Sequence, residues 1–512
     1  MHRHSPTRMQ PGGTEHETMT LRFPDTSDFT GPLYTPSRFE GGVRDLEVTG
    51  TIPATLRGRF VQVAPDPAYP PMLGDDIFFN GDGVVTAFRF IDGHVDVQRR
   101  YVETDRLKAQ RAARRSLHGV YRNPYTDDPS VAGASSSTAN TNIVPFNGVL
   151  LALKEDSPPF AVDPDTLETI GLWDFDGQIG NTPFTAHPKF DPDNGNLLAF
   201  GYEAGGIASR DMVYYEFAAN GRKLREIWVT SPYAGMVHDF AVTERFVVFP
   251  VLPATADLDR IKAGGRHFQW QPDLGYQFGV MRRDGDGSDI RWFTGPNCFQ
   301  AHVLNAYEEG DRIHIDMPSA DGNVFSFFPE AGGGAPAPET LHFELARWTF
   351  DLKSNSDEAV HATLMDAPCE FPRCDDRVAG RPYRHGFMLG LDMREYAIDR
   401  LGPPAWQFFN LLLHVDVTTG AVERWVAGDA ECFQEPTFVP RGPEAAEGDG
   451  YIMVLVNHLE ASTTELVILE SLDIARGPVA RIALPMRLRM SLHGNWLPDA
   501  SPNTTVAADV AA

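Results

Sequence analysis

Four histidines sit in surroundings unlike ordinary surface. They are His187 in Thr185-Ala186-His187-Pro188-Lys189, His238 in Gly235-Met236-Val237-His238-Asp239-Phe240, His302 in Phe299-Gln300-Ala301-His302-Val303-Leu304-Asn305, and His493 in Leu492-His493-Gly494. Small or apolar neighbours predict that each side chain points inward. A neutral imidazole suits Fe, Cu, Zn or Ni. Taken singly, a buried histidine is more often a satisfied core residue than a ligand. The chain has 16 histidines, so their number alone decides nothing. If the four share one ion, the fold must gather side chains spread over more than half of the chain.

The elements that would position them read as many short strands. Glycine (46) and proline (40) punctuate short apolar runs throughout. Asp45 to Ile52, Arg59 to Ala64, Val84 to Ile91 and His94 to Val102 alternate as strands do, and Asp92-Gly93 between the last two is a hairpin signal. The pattern continues from Asn142 to Lys154 and onward to Glu465 to Leu469, and Val479 to Leu484 precedes His493. Asp105 to Arg115 reads as a helix with Asp105 as its N-cap, and Ala256 to Ala263 as a short one. Regularly spaced short strands predict an all-β sandwich, barrel or propeller. No repeat of fixed length appears, although acidic turns recur at Asp163-Pro164-Asp165, Asp191 to Gly195 and Asp416 to Gly420. No linker divides the chain, and Gly332 to Pro338 reads as a surface excursion. The expected organisation is a disordered tail over 1–22, one domain over 23–500 and a flexible tail over 501–512.

Composition narrows the partners. The net charge of −26 opposes a phosphate-binding surface, so no nucleic-acid partner is expected. It opposes adhesion to anionic membranes as well. No apolar run is long enough for a transmembrane helix, so no stable membrane insertion is expected, and the N-terminus lacks the apolar core of a secretory signal. Cys298, Cys369, Cys374 and Cys432 form no CxxC pair, and the neighbouring Cys369 and Cys374 read as two reduced thiols. A cytoplasmic protein acting on a small aromatic or apolar substrate is the expectation.

The four histidine motifs resemble those of the carotenoid cleavage oxygenase family, which includes lignostilbene and isoeugenol oxygenases. Asn80-Gly81-Asp82-Gly83-Val84, Ala139-Asn140-Thr141-Asn142 and Glu435-Pro436-Thr437-Phe438 extend the likeness over nearly the whole chain. The resemblance implies a seven-bladed β-propeller, with capping loops and short helices over one face. It implies Fe(2+) on the axis, held by His187, His238, His302 and His493. Four neutral ligands would leave the ion its full charge and positions open for O2; a facial-triad site would need a carboxylate ligand instead. Ligating imidazoles usually donate their second N–H to a carboxylate or carbonyl. By resemblance Glu155, Glu370 and Glu435 take that part for His238, His302 and His493 in that order, leaving His187 without a carboxylate. Thr141 resembles the family threonine whose methyl group obstructs one coordination position.

Within the family, Leu117-His118-Gly119-Val120-Tyr121-Arg122-Asn123-Pro124 and Trp270-Gln271-Pro272-Asp273 resemble the phenylpropanoid branch. That resemblance implies cleavage of the side-chain alkene of a 4-hydroxyphenyl substrate with O2, releasing an aromatic aldehyde such as vanillin. Phe60 and Tyr101 resemble substrate-pocket residues, Tyr101 as a hydrogen-bond partner of the phenol. The lysine that assists it in lignostilbene enzymes is missing; Ala132, Gly133 and Ala134 stand about where it would be. A small phenylpropene such as isoeugenol or 4-vinylguaiacol is therefore expected ahead of a stilbene. Apocarotenoid cleavage is the alternative within the family, with Ala405 to Leu413 as its candidate membrane patch, here read as a buried strand. A metal-free binding propeller is the alternative outside it.

Overall fold

The computed structural model describes residues 22–74, 76–325, 327–334, 336–392 and 409–499. Residues 1–21 and 500–512, most of the two expected tails, lie outside the described residues, as does Ala405 to Phe408 of the proposed patch. Alternating apolar residues and tight turns give seven antiparallel sheets and one small extra hairpin, Ala254–Ala256 with Phe268–Trp270. The fold is a seven-bladed β-propeller. In chain order, the innermost strands of blades 2 to 7 are Asn142–Phe146, Lys189–Phe190, Ala241–Val242, Asn305–Glu309, Cys369–Arg373 and Thr437–Pro440.

Both chain ends close the ring. Gly494–Pro498 supplies the innermost strand of blade 1 by pairing with Gly58–Pro65, in the register Gln62 to Gly494. Glu47–Gly50 forms the outer edge of blade 7 on Ala480–Ala483. Pairing at both ends ties the first blade to the last and leaves only the blades' short edges unpaired.

Hairpin strands reverse direction, so all innermost strands start at the same end of the propeller. At the opposite end the chain turns tightly, as at Asp92 and Gly93, whose φ values of 49° and 84° match the left-handed pair of a type I′ turn. At the end where the innermost strands start lie the long connections 65–83, 101–142, 251–276 and 320–343. These carry the helices Asp105–Ala113 and Leu258–Lys262, which cap one face. The first helix is capped by Thr104, whose hydroxyl accepts from Leu107 N at 3.1 Å, and not by Asp105, which occupies its first turn.

Apolar side chains fill the wedges between blades. The strand Gly58–Pro65 shows how. Val61 and Val63 face blade 2, packing with Ile143 and Leu150. Phe60, of opposite parity, faces blade 7 with Phe88, Tyr451 and Leu466 and is fully buried. Its ring is wedge packing, worth roughly 1.5–3 kcal/mol of burial.

All four cysteines are free and buried, and burial pushes their thiols well up. Among the described residues no helix is long and apolar enough to cross a membrane.

Candidate metal centre

Each of the four histidines stands one to three residues before an innermost strand. His493 precedes that of blade 1, His187 that of blade 3, His238 that of blade 4 and His302 that of blade 5. Equivalent places in a ring of blades converge on the axis, and the four side chains meet there. Their candidate ligand atoms all lie within 4.8 Å of one another. Ring centroids are 4.5 Å apart for His187 and His493, and 4.9 Å for His238 and His302.

Blades 2, 6 and 7 contribute carboxylates at the same tier. Glu155 Oε1 lies 2.9 Å from His238 Nδ1, Glu370 Oε2 2.6 Å from His302 Nδ1, and Glu435 Oε1 2.8 Å from His493 Nδ1. Among the described residues no carboxylate pairs with His187. Thus every blade supplies one residue of the cluster or its support.

The donor set fits a cation. A carboxylate at Nδ1 holds the proton there and leaves Nε2 a bare lone pair. Yet His238 Nε2 and His302 Nε2, each opposite a carboxylate-held Nδ1 proton, are 3.1 Å apart; His187 Nε2, whose tautomer no carboxylate fixes, is also 3.1 Å from His238 Nε2. Two lone pairs at that distance repel unless a positive charge lies between them. Nitrogens so spaced subtend a right angle at a point about 2.2 Å from each, close to a metal–imidazole bond.

Electrostatics favour neutral imidazoles at His187 and His493. Burial and the neighbouring imidazoles hold His187 well below the usual histidine range. Burial also lowers His493, with Glu435 opposing it. At His302 burial acts downward, but Glu370 prevails and the value is raised. Burial would raise the carboxylates, but their imidazoles and nearby cations reverse it. Glu155 falls to about 2, and Glu370 and Glu435 are lowered too. The carboxylates therefore stay ionised and can accept the Nδ1 protons.

Three further residues brace the ring without having stood out in the sequence. Asp239 accepts from Val303 N at 2.8 Å and pairs with Lys189 at 2.7 Å, tying blades 3, 4 and 5 together beside their histidines. Phe371, in left-handed backbone with φ of 53°, lays its ring 5.4 Å from His302 and 5.6 Å from His493. Gly494 lets the chain approach closely: a Cβ there would sit 2.4 Å from Gln62 Cγ and 2.6 Å from Val61 O. Sequence offered a signal only for Gly494, in the His493-Gly494 pair.

Thr141 stands one residue before the innermost strand of blade 2, the place that His493 holds in blade 1. It is buried, and its hydroxyl donates to Asn140 Oδ1 at 3.1 Å. Tyr101 lies outside the histidine cluster, at the capped face, among Ala64, Ala68, Val84 and Leu107. Its buried hydroxyl has no hydrogen-bond partner among the described residues, and burial pushes the phenol well up, so it keeps its proton. Ala132, Gly133 and Ala134 are exposed. An aromatic cluster spreads over the capped face from Phe299, three residues before His302: Phe299 to Phe325 is 4.8 Å, Phe325 to Phe327 4.5 Å and Phe79 to Phe327 5.4 Å between ring centroids.

Comparison with known proteins completes the picture. The profile described as retinal pigment epithelial membrane protein, that of the carotenoid cleavage oxygenases, matches residues 34–498. The chain belongs to this family. A crystal structure of Pseudomonas brassicacearum lignostilbene dioxygenase superposes with a TM-score of 0.92 at 56% identity, covering 94% of this chain and 100% of that one. Lignostilbene-alpha,beta-dioxygenase isozyme III of Sphingomonas paucimobilis is 46% identical over 93% of this chain and 97% of its own length. Isoeugenol monooxygenase of Pseudomonas nitroreducens is 44% identical over 90% and 96%. As a carotenoid cleavage oxygenase, the chain is an alkene-cleaving oxygenase of an iron-dependent family, and its four histidines can bind a metal.

Proposed function

We propose that His187, His238, His302 and His493 hold Fe(II), and that the enzyme cleaves the alkene double bond in the side chain of a 4-hydroxyphenyl substrate to give an aromatic aldehyde. The observation that carries the metal is the 3.1 Å approach of the His238 and His302 Nε2 lone pairs, whose Nδ1 protons face ionised glutamates. Bound iron would supply O2 activation. The protein's own residues do the rest. Glu155, Glu370 and Glu435 fix three imidazoles by tautomer and angle. Thr141, on the same tier, limits access to one coordination position. The aromatic cluster around Phe299 and Phe327 offers an apolar, water-poor wall for a ring. Tyr101 supplies a buried, protonated hydroxyl without a partner among the described residues, suited to a phenol oxygen. Four unpaired, buried cysteines suit a reducing compartment such as the cytoplasm.

For the substrate we favour a small phenylpropene, isoeugenol or 4-vinylguaiacol, giving vanillin. No lysine lies between Asn123 and Asn142, and a hydrogen bond to a charged oxygen contributes roughly 1.5–3 kcal/mol. Losing one of two phenolate contacts weakens a long stilbene that depends on them by about tenfold or more. A short substrate depends more on ring packing. Stilbene cleavage is the second reading, supported by the 56% identity to a lignostilbene dioxygenase. The test is competition in one reaction among 4-vinylguaiacol, isoeugenol, resveratrol and an apocarotenal. Preferential release of vanillin supports the first reading. Preference for resveratrol selects the second, and preference for the apocarotenal overturns both.

A further inference from the structure

The three glutamates are not held alike. Glu370 accepts from Phe371 N, and Glu435 Oε2 accepts from Gly494 N at 2.8 Å; both are backbone donors. Glu155 instead depends on a side chain: its Oε2 accepts from the Tyr202 hydroxyl. That hydroxyl accepts in turn from Arg122 Nη1. Arg122 Nη2 donates to Glu203 Oε2 at 2.7 Å, and Glu203 meets His267 Nε2 at 2.9 Å. His267 Nδ1 lies 2.9 Å from the Arg122 carbonyl oxygen, which closes the circuit.

The circuit is built from distant parts of the sequence. Glu155 follows the second strand of blade 2; Tyr202 ends a strand of blade 3 and Glu203 follows it. Arg122 lies in the connection between blades 1 and 2, and His267 abuts the extra hairpin of blade 4. Its members are buried, and the Arg122 side chain is only 4% exposed. The Arg122 guanidinium lies 5.1 Å from both the Tyr202 and the Phe268 ring centres. Arg122 and Glu203 both hold left-handed backbone, with φ of 56° and 53°. Non-glycine residues adopt that region at a cost. The charged pair between them offsets that cost, so the circuit has little freedom to rearrange.

We propose that Tyr202 and Arg122, backed by Glu203 and His267, are positioning residues: they fix the Glu155 carboxylate and through it the angle at which His238 meets the metal. The inference rests on the reading of the four histidines as an iron site. It gives Arg122, part of the Tyr121-Arg122-Asn123-Pro124 motif, a role that acts through Tyr202 and Glu155.

Tyr202→Phe is the test, since it removes one oxygen and keeps the ring that Arg122 covers. Apoprotein is titrated anaerobically with Fe(II) against a chelator, and the visible spectrum of the Co(II)-loaded protein is recorded. Tyr202→Phe should bind Fe(II) about 10–100-fold more weakly than wild type, the range for partners of ligating imidazoles. Its Co(II) bands should shift, and its unfolding should stay cooperative. Arg122→Lys, which keeps a charge beside Glu203 but loses the guanidinium fork, should show a smaller change in the same direction. Wild-type Fe(II) affinity and Co(II) bands in Tyr202→Phe would overturn the proposal. So would a variant that only unfolds at lower temperature. Failure of wild type itself to bind Fe(II) would instead overturn the iron reading on which the proposal rests.

Discussion

Replacing Glu435 by Gln exposes how the centre is held. Glu435 is buried, with Oε1 2.8 Å from His493 Nδ1 and Oε2 2.8 Å from Gly494 N. Arg373 Nη1 stands 3.5 Å from Oε1. Both oxygens therefore face hydrogen-bond donors. Glutamine has one oxygen and one NH2. Whichever way it turns, the NH2 confronts a donor, so one charge-assisted hydrogen bond is lost. That loss is worth roughly 1.5–3 kcal/mol, or about 10–150-fold in an equilibrium constant at 1.4 kcal/mol per tenfold. Part of the loss also falls on the metal-free protein, so the lower half of that range is expected for Fe(II) affinity. Anaerobic competition with a chelator measures it. Wild-type affinity in Glu435→Gln would refute the argument that this carboxylate orients His493.

Three further outcomes follow from particular contacts. Gly494→Ala should weaken the protein by about 1–3 kcal/mol through overpacking and lower its iron content, because the new Cβ meets Val61 O at 2.6 Å; thermal unfolding and metal analysis check both. His458 is raised to about 9 by Glu431, 2.6 Å from its Nδ1, and by Glu465. Its stabilisation is therefore full below about pH 6.5 and is lost as pH rises through about 9. The difference in unfolding free energy between wild type and His458→Gln should be about 1 kcal/mol at pH 6 after solvent screening and should vanish by about pH 10; a pH-independent difference would refute it. Tyr101→Phe should slow turnover of a 4-hydroxy substrate more than that of its 4-methoxy analogue, and equal slowing would remove Tyr101 from phenol recognition.

Small and apolar neighbours made the four histidines legible as inward-facing, but grouping them as one centre rested on the family resemblance, because a buried histidine alone is more often a core residue. The hairpin at Asp92-Gly93 was legible because its turn chemistry is local. Other features depend on partners far away in the sequence. Strand alternation marked Arg59 to Ala64 as a strand, but which neighbouring blade Phe60 meets depends on closure by Gly494–Pro498. Thr104 and Asp105 are both good caps, and tertiary packing chose the first. Asp239, Tyr202 and Arg122 carry no local mark of their roles, because those roles exist only where blades meet.

The central claim is that four histidines hold the iron on which alkene cleavage depends. Apoprotein should be titrated anaerobically with Fe(II), and aldehyde release from 4-vinylguaiacol, isoeugenol and resveratrol measured at each point. Cleavage of at least one of them should rise in proportion to bound iron and stop rising at one Fe(II) per protein molecule, whereas His187→Ala should show neither binding nor product. Full turnover without bound iron, or wild-type turnover in His187→Ala, would contradict the account.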